Sequence, residues 1–480
     1  MGARERGSEV SEYQGPYSLV VIGGGPAGYT AAIRAAQLGM KAALVEAEEE
    51  LGGICLNWGC IPTKSLLRQA ELFRLFQRAD EFGISAGEVT FDWKKVVARS
   101  RRAAAQLGSG VDYLMKKNGI ALFRGRGRLT PVKDVEVHAG GDEVAVLQAP
   151  NILIATGAHP QSLPGVQIDG ESILSSRHAL ALAKRPGSMV VVGAGAIGVE
   201  LAYFFNAFGS EVTVLEAEEQ VLPREDGEIA HLLAENLERQ GVRVRTGVEV
   251  VKVSVRKSGA VSIAVAARAS EKGEEISADK LLMAVGVKGN TAGLGLEAVG
   301  VRLDKGGIAV DSRMQTTARG IYAAGDVIGA PQLAHAATAE AILAVESMAG
   351  REPEQLDRGG IPSCIYCQPQ VASVGLTEAR AREAGHDVSV GRFPFTASGK
   401  AVAAGETEGM VKLVFDRAYG DLLGGAVIGS EATELIAEIA LARRLEATYE
   451  DLAHTVHAHP TLSEAVKEAA ADAFGEAVNA

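Results

Sequence analysis

The sequence predicts an α/β protein: two related βαβ-containing domains followed by a C-terminal α+β domain. Three observations lead there. Residues 19–47, LVVIGGGPAGYTAAIRAAQLGMKAALVEA, are echoed by residues 189–217, MVVVGAGAIGVELAYFFNAFGSEVTVLEA. Short apolar runs ending in glycine turns recur at 152–157 (ILIATG), 281–286 (LLMAVG) and 321–326 (IYAAGD). After about residue 352 the texture changes to VASVGLTE, GMVKLVFD and LLGGAVIG, which look like antiparallel strands with polar turns. Two helical stretches follow, at 432–445 and 462–474.

In the repeat, Gly23, Gly25, Gly28, Gly39 and Glu46 recur 170 positions later as Gly193, Gly195, Gly198, Gly209 and Glu216. Each copy reads as strand, glycine turn, helix and second strand, a βαβ unit of Rossmann type. The first glycine makes the tight turn. The second lets a pyrophosphate approach the backbone, and the third lets helix and strand pack closely. The phosphates then meet the helix N-terminus, whose unpaired N–H groups favour anions. Glu46 and Glu216 would each accept hydrogen bonds from a ribose diol. A carboxylate would repel a 2′-phosphate, and no Arg follows Glu216 before Arg224, so the second site is expected to take NAD and not NADP.

Composition bounds the rest. With 480 residues, 47% hydrophobic and 22% charged, the chain reads as a multidomain globular protein. A formal charge of −12 argues against nucleic acid or an anionic membrane as partner. No apolar stretch reaches the roughly 18 to 20 residues that span a bilayer. Residues 1–16, MGARERGSEVSEYQGP, lack the features of a secretory or transit signal and are expected to be a flexible tail. Four Cys exclude a disulfide scaffold, so the expected compartment is the cytoplasm.

Two of those cysteines, Cys55 and Cys60, lie in GGICLNWGCIPTKSLL (52–67). On a regular helix they would be separated by about 7.5 Å along the axis, whereas a disulfide needs Cα atoms within about 7 Å. A bridge would therefore require a distorted first turn, which Gly59 and Pro62 permit. Spacing alone leaves a redox pair and two inert buried cysteines equally open. No cysteine or histidine cluster with metal-ligand spacing lies nearby, and no metal site is expected.

Taken together, GGGPAG and GGICLNWGCIPTK resemble the opening of the pyridine nucleotide-disulfide oxidoreductases. The CLNxGCIP run is most similar to their dihydrolipoyl-oxidising members. The likeness continues through ATG (155–157), TTARGIYAAGD (316–326), IPSCIYCQPQVASVGLTE (361–378) and HAHPTLSE (457–464). It implies FAD in the first site, held by Gly23, Gly25, Gly28, Glu46, Lys64, Gly157, Asp326 and Ala334. It implies NAD in the second, held by Gly193, Gly195, Gly198, Glu216 and Gly286. Cys55 would exchange with a dithiol substrate and Cys60 would lie against the flavin. Lys64 would sit near the flavin N5, paired with Glu200. The implied domains are FAD-binding (17–156 and 282–351), NAD-binding (157–281) and dimerising (352–480).

In HAHPTLSE, Thr461 and Glu464 form a T-x-x-E capping box ahead of a helix. The resemblance makes His459 the base that deprotonates the substrate thiol, oriented by Glu464, and leaves His457 structural. It places His459 in the active site of the other subunit, so a homodimer is implied. Further implied partners are lipoyl domains and the core acyltransferase of 2-oxo-acid dehydrogenase complexes, or a glycine-cleavage carrier protein. Cys364 and Cys367, at odd separation on an expected strand, should point to opposite faces.

A competing expectation is an NADPH-dependent glutathione-type reductase. Against it stand Glu216, Gly198 where such enzymes usually have Ala, and Ala196 where a bulky Tyr is usual. A mercuric reductase is disfavoured because AFGEAVNA carries no cysteine pair. A non-catalytic scaffold subunit is disfavoured by the intact set Cys55, Cys60, Lys64, His459 and Glu464. Two departures from the family pattern stand out. AVGVKGN (284–290) lacks the usual Arg and Pro, and Trp58 is bulkier than the usual residue between the cysteines.

Overall fold

The computed structural model describes residues 16–268 and 273–479. Of the expected tail, all but Pro16 lies outside the described residues. The chain divides into two compact units. One comprises residues through Pro62, Ala98–Pro160 and Val287–Leu356; the other comprises Thr63–Val97, Gln161–Gly286 and the chain from Asp357 onward.

The first unit is built on a five-stranded parallel sheet. Leu19–Ile22 lies at its centre, flanked by Ala42–Glu46 and Asn151–Ile154, with Ala121–Arg124 and Ile321–Ala323 at the edges. Alternate residues of these strands feed two cores. Leu19, Val21, Leu44 and Leu153 pack on helices Pro26–Gln37 and Ala334–Met348 through Ala31, Ala35, Ala341 and Ala344. Val20, Ile22, Val45, Ile152 and Ile154 pack on Val135, Val137 and Leu147 of a three-stranded antiparallel sheet. Burial on both faces explains why these strands read as continuous apolar runs instead of alternating ones. Small residues on the helices let helix and sheet approach closely.

The second unit repeats this plan. Ser188–Val192 is flanked by Glu211–Leu215 and Lys280–Met283, with Arg243–Arg245 and Ile173–Leu174 at the edges, all parallel. Val191, Val212 and Val214 face helix Ala196–Ala207, while Val190, Val192 and Leu281 face Val261, Ile263 and Val265 of another antiparallel three-stranded sheet. The internal repeat is therefore a repeat of three layers, not of the βαβ unit alone.

The same unit carries the C-terminal sheet, antiparallel in the order Ser363–Ile365, Gln370–Gly375, Leu422–Gly429, Met410–Asp416, Val388–Pro394. Helices Ala432–Arg444 and Glu464–Asp472 cover one face. A short helix, Tyr449–His454, stands between them where sequence periodicity gave no signal. The expected strand through both Cys364 and Cys367 is corrected. It ends at Ile365, so Cys367 lies beyond it, fully buried, and strand alternation does not decide its direction.

Candidate active site

The two glycine turns are built alike. Gly23 and Gly193 have φ of +107° and +101°, a region costly for residues with a Cβ. A Cβ on Gly28 would come within 1.7 Å of the Gly23 carbonyl oxygen, and one on Gly198 within 1.9 Å of the Gly193 oxygen. At the second glycines the opposite holds: a Cβ on Gly25 would touch only the Gly53 Cα at 3.8 Å, and one on Gly195 nothing within 4 Å. Gly25 and Gly195 are the N-caps of their helices and bring no side chain to the first N–H groups. Both helices thus present open N-termini beside open space, a cradle that fits a dinucleotide pyrophosphate.

Glu46 and Glu216 do more than stand at the strand ends. Glu46 accepts from the Gly24 N–H at 2.7 Å and the Glu48 N–H at 2.8 Å; Glu216 accepts from the Ala194 N–H at 2.7 Å and the Glu218 N–H at 3.0 Å. Each carboxylate ties the glycine turn to the following strand, so the group that would face a ribose is already oriented by the backbone. Gly157 and Gly286 hold φ of +70° and +103° in open space. Asp326 begins a 3-10 turn after Ile321–Ala323, and burial pushes its carboxyl above the usual carboxylate range. Ala334 opens helix Ala334–Met348.

Cys55 lies in a short helix, Gly53–Asn57, and Cys60 opens the helix Cys60–Gln77. Between them Trp58, at φ −142° and ψ 20°, leaves the helical region. The two cysteines, both present as thiols, lie on two helices separated by a break, not on one helix with a distorted first turn. A Cβ on Gly59 would press on Ile54 at 3.0 Å, so glycine permits that tight passage. Pro62 falls in the first turn of the second helix, where its missing N–H costs nothing. Tyr29, on the first repeat's helix, has its hydroxyl pushed up by burial first and then by the charge of Cys55 and Cys60. Arg101 donates to the Asn57 carbonyl, the end of the first short helix, and its guanidinium lies 6.0 Å from the Trp58 ring centroid.

In the second unit the Lys64 ammonium meets both carboxylate oxygens of Glu200 at 3.1 Å. Glu200 is buried on the second repeat's helix. The expected pair from two distant segments is thus an ion pair with one buried member. His459 Nδ1 lies 2.9 Å from Glu464 Oε1 while the imidazole is 78% exposed, so Nε2 faces outward. Glu464 Oε2 accepts from the Thr461 N–H at 2.9 Å; that bond, with help from His459 and against burial, holds the carboxyl below its usual range.

The expected capping box is half formed. The helix begins at Glu464, and the Thr461 hydroxyl donates to the Ala458 carbonyl instead of capping it. His457 is engaged elsewhere: Nε2 lies 2.6 Å from Glu438 and Nδ1 lies 3.0 Å from the Thr455 carbonyl.

Sequence reasoning missed Tyr366 and Arg101. Tyr366 stands inside IPSCIYCQPQ, which was legible as a motif but gave no sign of contacting Lys64. Arg101 lies on the helix Trp93–Lys117 among other basic residues, with nothing to single it out. Among the described residues, Glu136, His138 and Glu143 are close enough to hold a metal ion; cross-strand pairing of two adjacent strands accounts for that grouping.

Residues 17–341 match the family model described as pyridine nucleotide-disulphide oxidoreductase, and residues 361–470 match that family's dimerisation domain. The chain belongs to the pyridine nucleotide-disulphide oxidoreductase family, enzymes that use FAD and NAD. It is 46% identical to a protein of Rhizobium etli named dihydrolipoyl dehydrogenase, covering 97% of this chain and 99% of that protein. A protein of the same name from Chlorobaculum tepidum is 49% identical, with 95% and 97% covered. Among solved structures, LpdA of Mycobacterium tuberculosis superposes with a TM-score of 0.87 at 30% identity, covering 94% of this chain and 99% of that one.

Proposed function

We propose that the protein is a dihydrolipoyl dehydrogenase: it oxidises a protein-bound dihydrolipoyl group to its disulfide and reduces NAD to NADH. The observation that carries this reading is the near-complete, end-to-end likeness to proteins of that name. The geometry described above fits it. Residues 17–156 and 282–351 would form the FAD-binding part, 157–281 the NAD-binding part and 352–480 the dimerising part.

In this reading the partner subunit's His459 takes a proton from one substrate thiol, with Glu464 fixing its Nδ1 so that Nε2 faces outward. The thiolate attacks Cys55 of a Cys55–Cys60 disulfide, releasing Cys60 as thiolate. The second substrate thiol then displaces Cys55, and the lipoyl disulfide leaves. Two electrons have passed from the substrate's dithiol to the cysteine pair. FAD, when bound, supplies the two-electron transfer between that pair and NAD. Lys64, held by Glu200, would keep a positive charge beside the flavin. The exposed His459 supports a site completed by a second copy of the chain. The proposed setting is a cytoplasmic homodimer serving lipoyl domains of a 2-oxo-acid dehydrogenase complex or the glycine-cleavage carrier protein. Among the described residues, no helix is long and apolar enough to cross a membrane.

The test is steady-state turnover with dihydrolipoamide and NAD, beside oxidised glutathione with NADPH. Fast NAD reduction with the second assay silent is expected. The reverse pattern would keep the flavin and cysteines but overturn substrate and cofactor.

A further inference from the structure

The Lys64–Glu200 pair has a third member. Glu200 is only 4% exposed, and a buried carboxylate is tolerated when its oxygens are filled by well-placed donors. Oε1 and Oε2 each receive the Lys64 ammonium at 3.1 Å, and Oε1 also receives the Tyr366 N–H at 2.9 Å. The ring of the same tyrosine lies 4.3 Å from Lys64 Nζ. The negative face of an aromatic ring attracts a cation, most strongly where water is excluded. One residue therefore touches both charges, the anion through its backbone and the cation through its ring.

What holds Tyr366 is also on hand. It follows the edge strand Ser363–Ile365, which pairs with Gln370–Gly375. Its side chain is hydrogen-bonded to the Cys364 thiol, and Cys367 is fully buried just beyond it. Burial pushes the Cys364 thiol up to about 11 and pushes Cys367 higher still, so both remain neutral thiols and serve as packing for the tyrosine. Neither is poised for redox chemistry.

We propose that Tyr366 is a positioning residue, fixing the Lys64 ammonium against Glu200 and so setting how strongly that charge stabilises the reduced flavin. This rests on the reading of Lys64 as the lysine beside the flavin. Without the ring the ion pair persists, but the ammonium is held by Glu200 alone and its position loosens. Tyr366→Phe keeps both the ring and the N–H. Tyr366→Leu keeps the N–H and loses the ring.

The experiment measures the two-electron flavin potential by dye equilibration, with kcat and KM, on FAD-loaded wild type, Y366F, Y366L and K64M. Y366L is expected to disfavour reduced flavin about tenfold, a fall of ~30 mV for a two-electron couple. Its kcat should drop about fivefold while KM for dihydrolipoamide stays within twofold. Y366F, which keeps the ring and loses only the hydroxyl bonded to the Cys364 thiol, should stay closer to wild type than to Y366L. If K64M lowers the potential and Y366L does not, the role of Tyr366 is overturned and the reading of Lys64 stands. An unmoved potential in K64M overturns both. Should Y366L fail to retain FAD, Tyr366→Met removes the ring with an unbranched, more adaptable side chain of similar volume and carries the same expectations.

Discussion

Gly198→Ala tests the second dinucleotide site most directly. Its Cβ would stand 1.9 Å from the Gly193 carbonyl oxygen, whereas real Cβ atoms essentially never approach closer than 3.0 Å. Helix Ala196–Ala207 and the glycine turn must therefore separate by roughly 1 Å. The turn cannot yield on its other side, because the space where a Gly193 Cβ would point is filled by the Ala284 carbonyl at 2.4 Å. The helix must retreat, at an overpacking cost of about 1 to 3 kcal/mol. Its N-terminus is the proposed pyrophosphate site, and a misplacement of about 1 Å in a positioned group can cost on the order of 100-fold. NAD binding is expected to weaken roughly 10- to 100-fold. FAD content should not change, because the first repeat has its own helix and turn in the other unit. The assay is calorimetric titration of NAD into FAD-loaded protein, with the flavin-to-protein ratio read by absorbance. An NAD affinity within twofold of wild type at full flavin content would refute the reasoning. NADPH should not bind in compensation, since Glu216 remains at the strand end.

Three further outcomes follow from other parts of the structure. Lys412 is 5% exposed and meets Asp226, Glu228 and Glu378 at 2.9, 3.1 and 3.0 Å; Glu228 and Glu378 also have arginine partners, but Lys412→Met leaves the buried Asp226 carboxylate without its cation and should destabilise the fold by about 3 to 5 kcal/mol at neutral pH, read by denaturant unfolding. Burial raises the Glu228 and Glu378 carboxyls, but Lys412 and the neighbouring guanidinium groups outweigh it and hold both below the usual range. Their stabilisation is therefore present above the unfolded carboxylate range and lost as pH falls through the lowered folded values, so the gap between K412M and wild type should narrow in acid; a constant gap would contradict this. His459→Gln should lower dihydrolipoamide turnover by about 100- to 10,000-fold while sparing NADH-driven reduction of a quinone, which needs no dithiol; equal loss in both assays would show damage to the fold instead of a missing base. Arg101→Met removes a guanidinium from the turn between Cys55 and Cys60, and is expected to make the cysteine pair harder to reduce by about tenfold, or ~30 mV, in glutathione redox buffers, with Arg101→Lys intermediate and an unmoved potential rejecting the effect.

The α/β class, the internal repeat and the glycine turns were legible in the sequence because they rest on local rules. A strand buried on both faces must be a short apolar run, a positive φ calls for glycine, and a helix N-terminus leaves N–H groups open. Those rules act over a few residues, so Gly23, Gly28, Gly193 and Gly198 could be read with their reasons. Cys55 and Cys60 were found the same way, but their spacing alone could not tell redox partners from buried thiols, and only the structure shows that a break at Trp58 puts them on separate helices. What only the tertiary structure decided are contacts between segments far apart in the chain: Tyr366 on both charges of the Lys64–Glu200 pair, Arg101 on the Asn57 carbonyl, Lys412 among three carboxylates. A side chain's partner across such distances depends on how sheets and helices stack, and no periodicity of 2 or 3.6 encodes it. The half-formed capping box adds a limit at short range: T-x-x-E was present and Glu464 accepts from the Thr461 N–H, yet the Thr461 hydroxyl donates to the Ala458 carbonyl and the helix starts at Glu464.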